Sequence, residues 1–152
     1  MKKILLFTGI LFLLLANVNA QEIKEINNLF YKDGQPYTGS YTSFFDNGNI
    51  KMEMQVKKGK KHGPVRIFFE NGQLNEIRSY KNNLMHGKWE LYNKENIKVS
   101  VANYKYGAKD GKWLIWNDKG ILLYELNYKD GQKSGVWKRY DSDGNLVSHR
   151  KY

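Results

Sequence analysis

Two histidines stand at a regular spacing that raises the question of a metal site. His62 and His86 lie 24 residues apart, and each immediately precedes a glycine. Their column continues as Thr38 before them and as Asp110 and Ser134 after them. If these positions lie on successive hairpins, they are separated by about 10 Å, because neighbouring strands are about 4.8 Å apart. Zinc binds nitrogen ligands at about 2.1 Å, so a shared site would be strained and the sequence predicts no metal.

Carboxylates that could form an acid–base pair for hydrolysis are also badly placed. Such a pair must face each other across a cleft. Glu53 and Glu125 share a column of the sequence but lie three units apart, with Ile77 and Val101 between them. Serine nucleophile elbows and phosphate-cradling loops are missing, because the glycines recur with one period and are explained by turns. We therefore expect a protein that is not an enzyme and holds no cofactor.

The elements that position these residues are internal repeats. A glycine recurs five times at a constant step of 24, and an aromatic residue follows each glycine five positions later. The glycines are Gly39, Gly63, Gly87, Gly111 and Gly135, and the aromatic residues are Phe44, Phe68, Tyr92, Trp116 and Tyr140. A fixed period of this length is the signature of a repeat architecture.

Each unit has the pattern of a β-hairpin followed by a glycine-containing linker. A short aromatic-rich run such as residues 63–69 is typical of a strand. A second run alternates with the strand period of two, as from Ile50 to Val56. Between the runs, Asn-Gly or Asp-Gly pairs predict two-residue type I′ turns, which need positive φ at both central positions. These pairs are Asn47-Gly48, Asn71-Gly72 and Asp143-Gly144, and the linkers carry Gly59, Asn83, Gly107 or Gly131.

The third unit departs from this pattern. Asn96 occupies the turn position that is glycine in the other units, and the apolar residues from Ile97 to Val101 fall one residue early. Tyr104 is back in register. A residue lost at the turn must then be regained, and we expect a β-bulge near Ala102 and Asn103.

Aromatic residues occupy both faces of the predicted sheet. One column contains Tyr41, Trp89, Trp113 and Trp137 together with Val65, and the column from Phe44 to Tyr140 lies three residues on, which places it on the opposite face. A sheet that is apolar on both faces must curl on itself or present an aromatic surface to a partner. Curling is the favoured alternative. For Tyr80, Tyr104, Tyr128 and Tyr152, stacking in a ladder is favoured over a ligand-binding groove.

The repeated motif resembles that of a known family. The run from Tyr104 to Trp113, which reads Y-K-Y-G-A-K-D-G-K-W and returns from Tyr128, is similar to the MORN repeat and more closely to its bacterial MORN-variant form. The resemblance extends over residues 31–152. It implies an all-β fold, an elongated single-layer array of about five 24-residue antiparallel β-hairpins. Members of the family are described as protein-interaction scaffolds, as binders of acidic phospholipid and, in the YwqK-like bacterial branch, as antitoxins paired with a secreted toxin. The family supplies no catalytic residues.

The N-terminus indicates export. Lys2 and Lys3 precede an apolar run at residues 4–15, and Val18-Asn19-Ala20 has the form of a cleavage site, so residues 1–20 read as a secretory signal peptide. An uncleaved anchor is the alternative, but the run is shorter than the roughly 18 residues a spanning helix needs. We expect no transmembrane segment after cleavage, and a protein that is periplasmic, at the cell surface or secreted.

Residues 21–31 form a lead-in and N-terminal capping strand, and residues 32–152 form the repeat domain. The chain has no cysteine, so disulfides contribute nothing to its stability.

The charge and the free aromatic residues lead to two functional hypotheses. The formal charge of +10 becomes +8 without Lys2 and Lys3, which favours anionic partners, although no module for nucleic acid is present. The first hypothesis is a non-catalytic interaction module that binds another protein, as an immunity or antitoxin-like partner of a toxin. Its candidate contact residues are Trp89, Trp113 and Trp137, with Trp116 and Tyr140 on the other face. The second is a binder of anionic envelope lipid or cell-wall polymer, through Lys57, Lys58, Lys60, Lys61, Lys81, Lys105, Lys109, Lys129 and Lys133.

Overall fold

The computed structural model describes residues 22–152, and the signal peptide expected at residues 1–20 lies outside the described residues. In the described part every regular element is a β-strand, and every pairing is antiparallel. The strands are β1 Lys24–Ile26, β2 Leu29–Lys32, β3 Gln35–Pro36, β4 Gly39–Phe44, β5 Ile50–Lys57, β6 Lys60–Phe68, β7 Leu74–Lys81, β8 Leu84–Met85, β9 Gly87–Tyr92, β10 Lys98–Lys105, β11 Ala108–Lys109, β12 Gly111–Trp116, β13 Leu122–Lys129, β14 Gln132–Lys133, β15 Val136–Tyr140 and β16 Leu146–Lys151.

The hairpins follow one another in a single extended sheet. Its strand order is β16-β15-β13-β12-β10-β9-β7-β6-β5-β4, and the short strands β8, β11 and β14 pair with β7, β10 and β13. This confirms the predicted all-β array of antiparallel hairpins. Strands β4 and β16 stand at opposite ends of the order and do not pair with each other. The sheet is therefore not closed by pairing of its two end strands.

The tight two-residue turns lie in the linkers rather than in the predicted positions. Both central residues have positive φ at Lys58-Gly59, Asn82-Asn83, Tyr106-Gly107 and Asp130-Gly131, with values from 47° to 91°. The residues that flank them pair directly, as Lys57 does with Lys60, which is the geometry of a type I′ turn. At Asn47-Gly48, Asn71-Gly72 and Asp143-Gly144 only the glycine has positive φ, so the type I′ prediction is wrong there.

The turns inside the units are wider loops held by side-chain oxygens. In the first, the Phe45 N–H donates to Asn49 O at 2.8 Å and the Gly48 N–H to Phe45 O at 2.9 Å. Asn and Asp side chains favour such loops because they accept hydrogen bonds from backbone N–H groups two residues on. In the last three units this acceptor is Asn93, Asn117 or Asp141. Hydrogen bonds from Asn145, first of all from its backbone N–H, lower the pKa of the Asp141 carboxyl.

The bulge predicted in the third unit is misplaced, because a bulge is common to every unit. The register between β9 and β10 shifts between Lys98 and Ser100, and the other units shift at the equivalent point. Ala102 and Asn103 instead pair in unbroken register with β9. Asn96 adopts a φ of 60°, a conformation that Asn tolerates better than most residues. No residue is lost at that turn, so none has to be regained.

The well-buried core lies at the N-terminal end of the array. Phe30 has no exposed surface, and Met54, Val56 and Val65 are at most 3% exposed. Phe30 comes from β2, the predicted capping strand, and the lead-in is more ordered than its weak pattern suggested, because β1 pairs with β2. We call β1, β2 and β3 the N-terminal cap. They form a three-stranded sheet that covers the first unit.

Candidate interaction surfaces

The tryptophan column lies in a continuous ladder of aromatic rings. Consecutive ring centroids along this ladder are 4.8 to 5.7 Å apart, within the range of favourable aromatic pairing. The pKa of the Tyr104 hydroxyl is raised, chiefly because the hydroxyl is partly buried. The ladder contains, in order, Tyr80, Trp89, Tyr104, Trp113, Tyr128, Trp137 and Tyr152. We call the side of the sheet that carries it the ladder face.

Each indole N–H of the ladder is also used within the fold. Trp89 Nε1 donates to Ser79 O at 3.1 Å. Trp113 and Trp137 repeat this bond to the carbonyl ten residues earlier, at 3.0 Å and 2.8 Å. All three indoles are half-buried. The structure thus brings these three candidate contact residues together, and it gives each of them ring contacts and a hydrogen bond that join neighbouring strands.

The opposite side of the sheet, which we call the charged face, carries carboxylates held between lysines. Glu90 Oε1 lies 2.7 Å from Lys98 Nζ and 3.7 Å from Lys88 Nζ. Glu125 is placed in the same way, with Lys112 Nζ at 2.8 Å and Lys138 Nζ at 3.7 Å. The hydrogen bond from Lys98 lowers the pKa of Glu90, and the one from Lys112 lowers the pKa of Glu125. Each carboxylate is shared by two lysines, so both clusters remain net positive.

A row of aromatic residues borders the charged face beside the hairpin turns, and we call it the turn-side row. It consists of Phe44, Phe68, Tyr92, Trp116 and Tyr140, and the cross-strand neighbours of these residues are Ile50, Leu74, Lys98, Leu122 and Leu146. The ring–ring contacts found in residues 22–152 involve none of these five rings. The two candidates Trp116 and Tyr140 therefore occupy equivalent positions in neighbouring units, on a surface that does not share the packing of the ladder.

The nine candidate lysines gather at the linker turns along one edge of the sheet, which we call the basic edge. Backbone hydrogen bonds join successive turns, as from the Gly107 N–H to Met85 O and from the Gly131 N–H to Lys109 O, both at 2.8 Å. The lysines are therefore in register along the array, as the sequence indicated. Near the first two turns, Lys57, Lys58, Lys60, Lys81 and His62 border a concavity of about 500 Å³.

Several lysines of the basic edge already have partners. Lys109 Nζ lies 4.5 Å from the ring centroid of Trp113 and 4.9 Å from that of Tyr128. Lys133 takes the same position over Trp137 and Tyr152, at 4.6 and 4.9 Å. These are cation–π distances. In addition, Lys61 lies over Phe30 and Tyr80, Lys81 donates to Tyr106, and Lys129 lies 3.9 Å from an Asp110 oxygen.

The histidine column holds the linker turns. The side chains of Thr38, His86 and Asp110 accept hydrogen bonds from the backbone N–H twenty residues later, at 2.9, 3.3 and 3.2 Å. His62 contacts Asn82 in the same place, at 3.4 Å. The regular spacing of this column was visible in the sequence, but its role in fixing the next turn was not. No cluster of three or more potential metal ligands occurs within residues 22–152.

The repeats determine the family. A family model for the MORN repeat variant matches residues 37–58, 61–82, 109–130 and 133–152, which together make up more than half of the chain. The chain belongs to the MORN repeat variant family. The third MORN unit, with Asn96 in its turn, lies between the matched segments, and the structure nevertheless gives it the same hairpin as its neighbours. No curated protein sequence matches the chain. None of the described residues forms a helix long and apolar enough to cross a membrane.

Proposed function

We propose that this MORN-variant protein is an exported, non-catalytic module that binds another protein through its charged face. The observation that carries the proposal is the turn-side row, whose rings take no part in the aromatic ladder. Trp116 and Tyr140 are its candidate anchors, because large aromatic side chains dominate the energetics of interfaces. The flanking ion pairs would form a polar rim of the kind that surrounds such anchors. The ladder tryptophans are less suited to this role because their hydrogen bonds and ring contacts join the strands.

A non-catalytic role agrees with the spacing of the carboxylates on the charged face. Glu90 and Glu125 lie in one cross-strand row, with Val101 and Leu114 between them. Three strand spacings separate them by about 14 Å. That exceeds the roughly 9.5 Å upper limit for the two carboxyl groups of an inverting glycosidase. Export rests on the signal-like pattern of residues 1–20.

For the partner, we propose a toxin that the protein neutralises, in keeping with the YwqK-like branch that the repeats resemble. The net positive charge makes a basic toxin a poor partner, because like charges slow association and weaken the complex. An acidic or neutral toxin domain fits better. This assignment rests on the resemblance, whereas the choice of the charged face rests on the geometry.

The test is a pull-down from the envelope and secreted fractions of the producing organism, washed at low and then at high salt. We expect one protein to be retained at high salt by the wild-type chain and lost with Trp116→Ala combined with Tyr140→Ala. The control is Leu91→Ala combined with Tyr106→Ala, since these residues are 38% and 54% exposed and lie on the ladder face and in a linker turn, away from Trp116 and Tyr140. Equal retention by both double variants would remove the charged face from consideration, and thermal melting would confirm that each variant is folded.

A second candidate function is binding of anionic envelope lipid or cell-wall polymer at the basic edge. The observation that favours it is the concavity bordered by Lys57, Lys58 and Lys60, all of which are exposed. Such binding should weaken steeply as salt shortens the Debye length below about 10 Å. Sedimentation with vesicles containing anionic lipid, at low and high salt, distinguishes it from binding through Trp116 and Tyr140. Replacing the three lysines by glutamine should abolish this binding and leave protein retention intact.

A further inference from the structure

The end strands β4 and β16 each pair on one side only within the described residues. Beside β4, however, the Tyr37 hydroxyl donates to Ser40 O at 2.7 Å and the cap packs nearby, whereas nothing comparable among the described residues stands beside β16. At the N-terminal end, the cap bonds to the first linker turn, since the Phe30 N–H donates to Gly59 O at 2.9 Å and the Gly59 N–H to Tyr37 O at 2.7 Å. At the other end, β16 pairs with β15 and with no other strand of residues 22–152, and all six of its residues are exposed. Its outer side is therefore an open edge, with backbone groups available to another strand.

The cap also explains why β16 of one copy cannot stack on the N-terminal end of a second copy. Inside the array, the tyrosine that ends one unit packs against the tryptophan of the next, as Tyr80 does against Trp89 at 5.7 Å. Phe30 of the cap already fills this place before Tyr41, with ring centroids 5.1 Å apart. If two copies stacked head to tail, Tyr152 of the first copy would have to take the place in front of Tyr41 of the second copy. Phe30 of the second copy already fills that place.

The side chains of β16 differ from those of the equivalent inner strands. Asn103 and Asn127 of the inner units donate to the next strand, to Lys112 O and Val136 O, and in β16 the equivalent residue is Lys151. Glu125 is likewise replaced by His149, and Arg150 stands where β13 has Leu126. Together with Arg139, these residues form a basic end without a carboxylate partner among the ion pairs found in residues 22–152.

Charge selects the occupant of this edge. β16 carries Arg150 and Lys151 and no carboxylate. Two copies paired through it would therefore bring basic residues close together with no acidic residue to offset them, and juxtaposed like charges weaken association. Lysines on an edge strand are a known means of preventing such self-association. A strand that carries carboxylates would meet the opposite situation, as Glu125 does inside the array, 3.7 Å from Lys138 of the adjacent strand.

We propose that β16 accepts an extended acidic segment of a partner protein, which adds to the sheet as a further antiparallel or parallel strand. The inference rests on the proposed function, because it names the chemistry of the protein partner and a second point of contact. Main-chain hydrogen bonds give affinity in such strand addition, and side-chain pockets give specificity. A groove of about 350 Å³ adjoins the edge, and its lining includes Trp137, Arg139, Arg150 and Tyr152. On one face it offers two guanidinium groups, from Arg139 and Arg150, to the carboxylates that an alternating strand presents on that face.

The test uses a fluorescein-labelled peptide of nine residues in which Glu and Val alternate. Its controls are the same peptide with Lys in place of Glu and the Glu peptide with a central Pro, which keeps the charge but cannot form a regular ladder. Binding is measured by fluorescence anisotropy, and the site by amide hydrogen exchange over residues 146–151. We expect the Glu peptide to bind, to slow exchange in β16, and to bind at least about tenfold more tightly than either control.

Matched charge reversals locate the site on the protein. Arg150→Glu with Lys151→Glu changes the net charge as much as Lys58→Glu with Lys105→Glu on the basic edge, and all four residues are exposed. The first pair should weaken binding at least about tenfold and the second less than about threefold, since distant exposed charges are screened.

Several results would overturn the proposal. Equal binding of the Pro peptide, equal losses from the two reversals, or no binding of the Glu peptide would each refute strand addition at β16. Protection of β16 that rises with protein concentration and no peptide present would identify a second copy as the occupant instead. The proposed contact at Trp116 and Tyr140 is tested separately by the pull-down, so either idea can fail while the other stands.

Discussion

The capped and open ends of the array are built from similar repeats but differ in how much they bury. Near the cap, Phe30, Met54, Val56 and Val65 are at most 3% exposed. At the open end, Leu146 is 52% exposed and Tyr152 is 41% exposed. In a repeat protein each unit contacts only its neighbours, so stability is close to a sum of local terms. The difference therefore suggests a division of roles, in which the capped end supplies stability and the open end remains available for binding.

The largest effect should follow from emptying the capped core. Phe30→Ala removes a fully buried ring and should lower the free energy of unfolding by about 3–5 kcal/mol, as measured by urea denaturation. The control is Leu146→Ala at the open end, which truncates a side chain that is 52% exposed and should cost less than about 1 kcal/mol. A similar loss from both variants would mean that the cap is not the stabilising end.

The aromatic ladder should show a smaller difference between its middle and its end. Trp113 packs between Tyr104 and Tyr128 and donates a hydrogen bond, whereas Tyr152 contacts only Trp137 in the ladder. Trp113→Leu should cost about 2–3 kcal/mol, from lost packing and an unpaired carbonyl. Tyr152→Leu should cost less than about 1 kcal/mol. The urea midpoints of the two variants measure these losses of stability. Equal losses would show that the ladder is no weaker where it reaches the open end.

The smallest effect concerns the ion pairs of the charged face, which lie in the units beyond the capped core. The folded-state pKa values of Glu90 and Glu125 are lowered, chiefly by hydrogen bonds from Lys98 and Lys112. Their stabilisation is therefore complete above the unfolded pKa of about 4.3 and is lost as pH falls through the lowered folded values. Because the lysines are partly exposed, the total should be about 1 kcal/mol or less.

Urea titrations at pH 7 and pH 3 measure this contribution. Glu90→Gln combined with Glu125→Gln should reduce the loss of stability between the two pH values. Glu70→Gln combined with Glu95→Gln, at exposed turn positions, is the matched control and should leave that loss nearly unchanged. An unchanged loss in the first variant would show that these pairs contribute nothing to folding.

The period of 24 was sufficient to predict the array, because five units that share a glycine and an aromatic residue allow few other folds. Details that depend on turn geometry were not predictable in the same way. Asn47-Gly48 and Lys58-Gly59 both suit a tight turn by composition, and only the pairing of the flanking strands shows that the second is type I′. The departure at Asn96 also looked larger in the sequence than it is, since Asn can adopt the conformation of the glycine it replaces.

The candidate surfaces were only partly predictable, because strand alternation gives the face of a residue but not its contacts. Strand alternation predicted that Trp113 and Trp116 lie on opposite faces. In the third unit Tyr92, the equivalent of Trp116, contacts Glu90 on the charged face. The alternation could not show that the Trp113 indole bonds to a backbone carbonyl while the turn-side row stays outside the ladder. The cap was underestimated because Lys24–Ile26 is polar and weakly patterned, and its pairing with β2 depends on a tertiary contact.

Native-state amide hydrogen exchange, read by mass spectrometry on the protein without a partner, tests the difference between the two ends most directly. We expect the slowest exchange in β5 and β6, which pack against Phe30, and the fastest strand exchange in β16, because opening of an end unit breaks few contacts. A gradient of protection that falls from the cap toward β16 is the predicted result. Uniform protection along the array, or faster exchange in β5 than in β16, would contradict it.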